Sequence, residues 1–397
     1  MIALNKEWLS NLRIQDEAEK YRDKGFISST EFDVIRAKYP VGFYMPNVFV
    51  RAGLFILTFF VTLMGDGLLT LIATSGGGDS VVESPGWSLF LGVISYACLE
   101  GLIAAKKHFR SGVDDALLLV TALLFTGMVF SIAYKSGMGV EYRSQWIAFG
   151  IFIFTLYFTI RFVDILMAAI CCIAFFATIF FLWNNIGFGG LYTAPFIIIL
   201  VSAGVYWLIN PLGKKAELVH YEGCLLIAQI VSLIVLYAAG NYYIVQTLGG
   251  EMSPGQPANK PLPLGWFFWS WTMLMPLVYV AFGIKRKNMV LMRLGLLLVI
   301  AAVSTFRNYY HILPTDVMLI IAGALVIAVS WAIIRYLKTP KHGFTYDEPS
   351  IKTLLDHAQI ESLITAQSVA NIPAAPASSG SRFGGGDFGG GGSSGSF

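Results

Sequence analysis

Apolar residues along the chain come in runs of about twenty, the length a helix needs to cross roughly 30 Å of hydrocarbon. Polar residues fall between the runs. The pattern predicts ten spans, near 48–73, 86–105, 116–134, 145–162, 163–182, 192–210, 223–245, 265–283, 288–306 and 315–336. The fifth begins where the fourth ends, at RFVD, 161–164. Read as one long broken helix, that pair would lower the count to nine and reverse the side of everything after it. Ahead of the spans, residues 7–40 show a different periodicity. Trp8, Leu9 and Leu12 share one helical face, and Gly25 stands where a C-cap glycine ends a helix. Ser28 and Glu31 have the spacing of a capping box, Phe32 and Ile35 mark an apolar side, and Pro40 stops the second helix. After the last span, Ile351, Leu354, Leu355, Ile360, Leu363 and Ile364 give 350–366 an amphipathic helical pattern behind the cap residue Ser350.

Composition agrees with the pattern. Hydrophobic residues make up 56% of the chain and charged residues 13%, against roughly 25% charged in a soluble domain. The expected fold class is therefore all-α, a polytopic helical membrane protein. A cytoplasmic helical hairpin occupies 1–40 and a ten-span domain 48–337. A cytoplasmic segment with the amphipathic helix fills 338–372, and a disordered Gly-rich tail 373–397. The opening stretch is charged and lacks an apolar signal region, so the first span is expected to direct insertion itself.

Charge fixes the sides. With the amino terminus inside, the inner connections carry Lys106, Lys107, Arg110, Arg161, Lys214, Lys215, Lys285, Arg286 and Lys287. The outer ones carry only Lys135, Arg143, Lys260 and Arg307. Positive residues stay on the inner side, so both ends are expected in the cytoplasm. The alternation survives the 161–164 junction, which favours ten spans over nine. A net charge of +3 is too small to argue for a nucleic-acid partner. The four cysteines all lie in apolar runs and read as packing residues, not a disulfide framework.

The stretch YRDKGFISSTEFDVIRAKY resembles the short helical hairpin of SHOCT-type oligomerisation segments, in which a glycine, an apolar pair, Ser/Thr and Glu-Phe recur. A similar entry hairpin precedes the membrane part of a bacterial multi-span family defined only by a domain of unknown function. RNYYHILPTDVMLIIAGALVIAVSWAIIRYL, 307–337, is similar to the far end of that family. The resemblance implies a fold and a bacterial inner (cytoplasmic) membrane, and no activity. The tail resembles those of TPM-domain membrane proteins, which also end in glycine runs and a lone aromatic.

Candidate chemistry is sparse. Ionisable groups inside spans cost at least about 2.5–3.5 kcal/mol at mid-depth and so need a reason. Asp66 in GDG, Glu100 in CLEGL and Arg293 in VLMRLG stand out. Glu100 and Arg293 are placed at one depth and read as a possible ion pair; Asp66 and Arg307 are both placed near the outer surface. Gln229 and Asn241 are expected to join spans by hydrogen bonds. Asn308, Tyr309, Tyr310 and His311, with Asp316 beyond, form an outer-face cluster. It shares its side with the aromatic run WFFWSW, 266–271, whose plainer reading is an interface anchor. Phe383, Phe388 and Phe397 are the tail's contact groups. No P-loop, HExxH or GxSxG appears, so no catalytic residue, cofactor or metal is assigned.

Three functions compete. The hairpin, amphipathic helix and tail favour a non-enzymatic scaffold or accessory subunit, with the bilayer and a protein partner or second copy as its contacts. A transporter of an apolar or lipid-linked substrate requires an intramembrane cavity holding a carboxylate. A membrane enzyme acting on lipid or glycan requires an outer groove with His311 beside an acid such as Asp316.

Overall fold

The computed structural model describes residues 2–186, 190–213, 215–251 and 263–310, with isolated helical positions between 320 and 335. The chain divides into two units, Met1–Ile312 and Leu313–Phe397. In the second, the Arg335 guanidinium lies 5.2 Å from the Trp331 ring centroid. Most of the predicted span 315–336, the amphipathic stretch 350–366 and the tail with Phe383, Phe388 and Phe397 lie outside the described residues.

The described residues of the first unit form helices and their connecting turns. Its helices are α1 (Lys6–Asp23), α2 (Ser29–Lys38), α3 (Val48–Ser75), α4 (Asp79–Val82), α5 (Pro85–Lys106), α6 (Val113–Lys135) and α7 (Val140–Phe162). Then follow α8 (Ile165–Asn185), α9 (Gly190–Leu212), α10 (Glu222–Gly240), α11 (Tyr242–Glu251), α12 (Gly265–Lys285) and α13 (Met289–Tyr309). Among the described residues, nine helices are long and apolar enough to cross a membrane. The protein is an all-α polytopic membrane protein. Neighbours in sequence pack as pairs, α5 with α6, α7 with α8, α9 with α10 and α12 with α13, while α10 also packs on α8 and α3 leans on α6.

The junction at 161–164 is a real turn between two helices. Val163 takes a left-handed conformation (φ 56°) and reverses the chain. Asp164 then caps α8, its carboxylate accepting from the Met167 amide at 2.8 Å. The seventh predicted span requires a correction. It does not run to 245: α10 ends at Gly240, Asn241 is extended, and α11 starts at Tyr242. Asn241 makes the break tolerable by occupying the freed polar groups. Its Oδ1 accepts from the Ile244 amide at 3.2 Å, and its Nδ2 donates to the Tyr237 hydroxyl at 3.0 Å and the Thr305 hydroxyl at 3.1 Å. The Tyr242 amide donates to the Thr272 hydroxyl at 2.9 Å. Irregular backbone inside a membrane persists only where neighbours satisfy it in this way. Gly240 is required at the break, because a Cβ there would strike the Trp271 indole.

The amino-terminal hairpin forms as its local signals dictate. Asn5 caps α1, Gly25 turns the chain with φ +76°, and Ser28 and Glu31 complete both halves of the capping box. The apolar face of α1 docks on the membrane domain of its own chain. Leu4 is buried among Leu99, Ile103, Phe109 and Phe162, with Leu9 and Leu12 packed against the same cluster. Trp8 meets Phe43 edge-on at 5.2 Å, and the Lys107 ammonium sits 4.6 Å from a Trp8 ring centroid. The Ala3 amide donates to the Arg161 carbonyl at 2.9 Å. The hairpin thus marks one end of the membrane domain, its hairpin side.

Candidate membrane cavity

The α5–α6 turn is built from three residues of positive φ, Lys107, Arg110 and Gly112. Asp114 holds it. One carboxylate oxygen accepts from the Ser111 amide and hydroxyl, both at 2.8 Å, and the other from the Arg110 amide at 2.7 Å. Gly112 has φ +91°, and a Cβ there would collide with the Arg51 carbonyl oxygen. The missing side chain thus lets α3 close onto the turn. Arg51 completes the contact with a two-pronged ion pair, Nε at 2.9 Å and Nη2 at 2.7 Å from the same oxygen of Asp115. The His108 ring contacts the Ser111 hydroxyl at 2.7 Å. The hydroxyl lies between ring and carboxylate, the wrong order for a nucleophile activated through histidine.

Beside this turn lies a cavity of about 860 Å³. Its walls are apolar: Val48, Ala52, Phe55 and Ile56 of α3, Leu99 and Ile103 of α5, Leu118 of α6, and Ile165, Leu166, Met167 and Ala169 of α8, with Ile227 of α10 and Leu4. Its charged groups are Arg51, Arg110, Asp114, Asp115 and Asp164. These sit at helix ends on the hairpin side, whereas the apolar residues run up the spans. Burial pushes the Asp164 carboxyl above its ordinary range, against the lowering effect of the Met167 amide. The Arg110 guanidinium lies 5.1 Å from the Phe109 ring centroid. The cavity is thus polar at one end and hydrocarbon-like along its depth.

The sequence-predicted residues fall elsewhere, and one pairing is overturned. Glu100 does not pair with Arg293. It receives Arg161, Nε to Oε1 at 2.8 Å and Nη2 to Oε2 at 3.0 Å. The Tyr96 hydroxyl donates to Glu100 at 2.7 Å and lies 2.7 Å from the Tyr157 hydroxyl. Arg293 is exposed on α13, a helix packed on α12 and α10, so common depth did not make it a neighbour of α5. Asp66 is half-buried on α3, and its Oδ2 has no hydrogen-bond partner among the described residues. Arg307 is exposed at the far end of α13. Asn241 joins three helices as described, while Gln229 is half-buried on α10.

At the far end, rings from the predicted outer cluster do come together. Trp269 stacks on Tyr242 at 4.8 Å and meets Tyr309 and Tyr310 at 5.6 Å each. The Tyr309 hydroxyl donates to Gln246 at 2.9 Å. Asn308 is exposed, and His311 and Asp316 lie outside the described residues.

Sequence reasoning treated Arg110 only as a marker of sidedness, and gave no role to Arg51, Asp114, Asp115 or Asp164. A usable signal was there. Two adjacent carboxylates open the third span, and an arginine stands in the first turn of the first span, where both must meet at the same surface. No family model, no curated protein and no solved structure matches the chain.

Proposed function

We propose that this multi-pass membrane protein binds a lipid-class amphiphile in the hairpin-side cavity and acts as a transporter of that apolar or lipid-linked substrate. One observation carries the reading: a cavity of about 860 Å³, hydrocarbon along the spans and lined by two arginines and three aspartates at its polar end. That volume lies within the roughly 300–1,000 Å³ usual for small-molecule sites. A water-soluble substrate would leave its polar groups unmatched against the α3 and α8 walls. An amphiphile leaves nothing unmatched, because its head meets the charged end and its chain the apolar depth.

The scaffold reading loses ground because α1 commits its apolar face to its own membrane domain. The positive-inside pattern supports placing this cavity in the cytoplasmic leaflet of a bacterial inner membrane. The SHOCT-like hairpin is then a packing element over the cavity, and the amphipathic segment and tail are accessory docking pieces.

The test is photolabelling. The full chain is reconstituted in phosphatidylethanolamine and phosphatidylglycerol vesicles containing a phospholipid with a diazirine in its acyl chain. Labelled peptides are then mapped by mass spectrometry. Labelling concentrated on Ala52, Phe55 and Met167 is expected. Labelling there no denser than on Phe60 and Met64, which face outward on the same first span, would sink the proposal.

A further inference from the structure

Five charged residues line the polar end of the hairpin-side cavity, and three of them are engaged within the protein. Arg51 and Asp115 pair with each other. Asp114 gives one oxygen to the Ser111 amide and hydroxyl and the other to the Arg110 amide. Two charges of opposite sign are left, Arg110 and Asp164.

Arg110 is exposed, and its guanidinium lies against the Phe109 ring at 5.1 Å from the centroid. Among the described residues no carboxylate reaches it at ion-pair distance; Asp16 of α1 feels its charge only from farther off. Asp164 is half-buried at the α7–α8 turn. Its carboxylate accepts from the Met167 amide at 2.8 Å. The charges that act on it are those of Asp115 and Asp114, which repel it, and no cation stands beside it among the described residues. Arg110 and Asp164 do not pair, yet both bear on one spot. The Cys224 thiol of α10 donates to the Asp164 carbonyl at 3.6 Å and lies in the field of both side chains. The apolar wall begins beside that spot, at Met167 on α8 and at Ile227, one turn along α10 from Cys224.

A half-buried carboxylate without a counter-charge is costly until a cation meets it. A free anion would satisfy Arg110 and leave Asp164 as it is; a free cation would do the reverse. A phosphatidylglycerol head brings a phosphodiester and no positive charge. A choline head brings a positive charge with no N–H to donate. A phosphodiester joined by a short link to a primary ammonium answers both residues. Its oxygens match the guanidinium fork, and its ammonium has three donors for the carboxylate.

We infer that the amphiphile is an aminophospholipid, its phosphodiester held by Arg110 and its primary ammonium by Asp164, so that these two residues select the head while the spans receive the chains. This rests on the hairpin-side cavity holding an amphiphile.

The experiment reconstitutes the full chain in phosphatidylcholine vesicles. Separate samples carry a trace of phosphatidylethanolamine, phosphatidylglycerol or phosphatidylcholine, each with the same diazirine in its acyl chain. Label on Phe55 and Met167 is read against label on the outward Phe60 and Met64. The ethanolamine probe is expected to label the cavity about tenfold more densely than either of the others, the equivalent of about 1.4 kcal/mol. Asp164→Asn keeps the cap and removes the charge, and is expected to bring the ethanolamine probe down to the level of the glycerol probe. Arg110→Gln should lower labelling by all three, since each carries the phosphodiester. Asp33→Asn, at an exposed carboxylate of α2, is the control and should change nothing. If the ethanolamine probe labels the cavity of the unaltered chain no more densely than the other two, the head selection is overturned and the cavity reading stands; that comparison needs no variant to fold. An ethanolamine preference that survives Asp164→Asn, or falls as far in Asp33→Asn, overturns it as well. Cavity label no denser than that on Phe60 and Met64 with every probe defeats both readings.

Discussion

The two ends of the membrane domain hold their polar groups by different means. On the hairpin side the devices are charged. Glu100 takes Arg161, Asp115 takes Arg51, and Asp114 ties down a turn of positive-φ residues. Around the α10–α11 break at the far end they are neutral: Asn241, Thr272, Thr305, Tyr309 and Gln246 exchange hydrogen bonds under a cover of aromatic rings. Ion pairs tolerate the hairpin side because their arginines and carboxylates are still partly exposed. Around Asn241, where burial is nearly complete, a charge would have no such relief and amide chemistry takes over. The lesson is that depth alone does not set polar chemistry in this protein; access to water does.

The comparison can be broken first at its strongest charged contact. Arg161→Ala leaves Glu100 half-buried beside Tyr96 without its cation, and is expected to cost about 2–4 kcal/mol. Thermal unfolding in detergent should show this as a clear fall in Tm. Arg161→Lys, which cannot reproduce the two-pronged geometry, should recover only part of it. Neutral contacts at the far end should yield less. Asn241→Ala strands the Ile244 amide and the Thr305 hydroxyl, for about 1–3 kcal/mol. Amide exchange should rise in α11 and stay unchanged in α1, and equal rises in both would mean that the break is not locally held.

The smallest effect sharpens the comparison through pH. Asp164 is a carboxyl whose folded pKa lies above its unfolded value, chiefly through burial. Its contribution to stability is therefore fullest below the unfolded pKa of about 4 and is lost as pH rises through the folded value. Asp164→Asn keeps an acceptor for the Met167 amide but carries no charge. At neutral pH it should melt slightly above the parent chain, with the difference closing as pH falls toward the carboxylate range. A difference constant from acid to neutral pH would show that the charge is not the cause.

Local features were legible in the sequence. The spans follow from apolar run length, and the Ser28–Glu31 box and Gly25 turn each need only a few neighbouring residues. The RFVD junction was readable because charge alternation continued across it. What escaped notice depends on distant partners. The break at Asn241 sits inside an unbroken apolar stretch and survives through Thr272 and Thr305, residues of other helices. Glu100 was assigned Arg293 because hydropathy reports depth and not which helices are adjacent. The cavity's apolar walls left no mark, since they are ordinary span residues and only packing makes them concave. Of its charged groups, the Asp114–Asp115 pair was the visible trace.

The span α3 has no buried residue along its 28-residue length, unlike every neighbour that contributes to a core cluster. Swinging it outward would therefore forfeit little interior packing, most of its outer surface already facing the bilayer. Its polar ties lie at its two ends, the Arg51–Asp115 clasp over Gly112 on the hairpin side and, near the other, the Trp87 indole donating to the Thr70 hydroxyl at 3.0 Å. A wall held in this way behaves as a side door latched near both ends, its opening directed at the lipid.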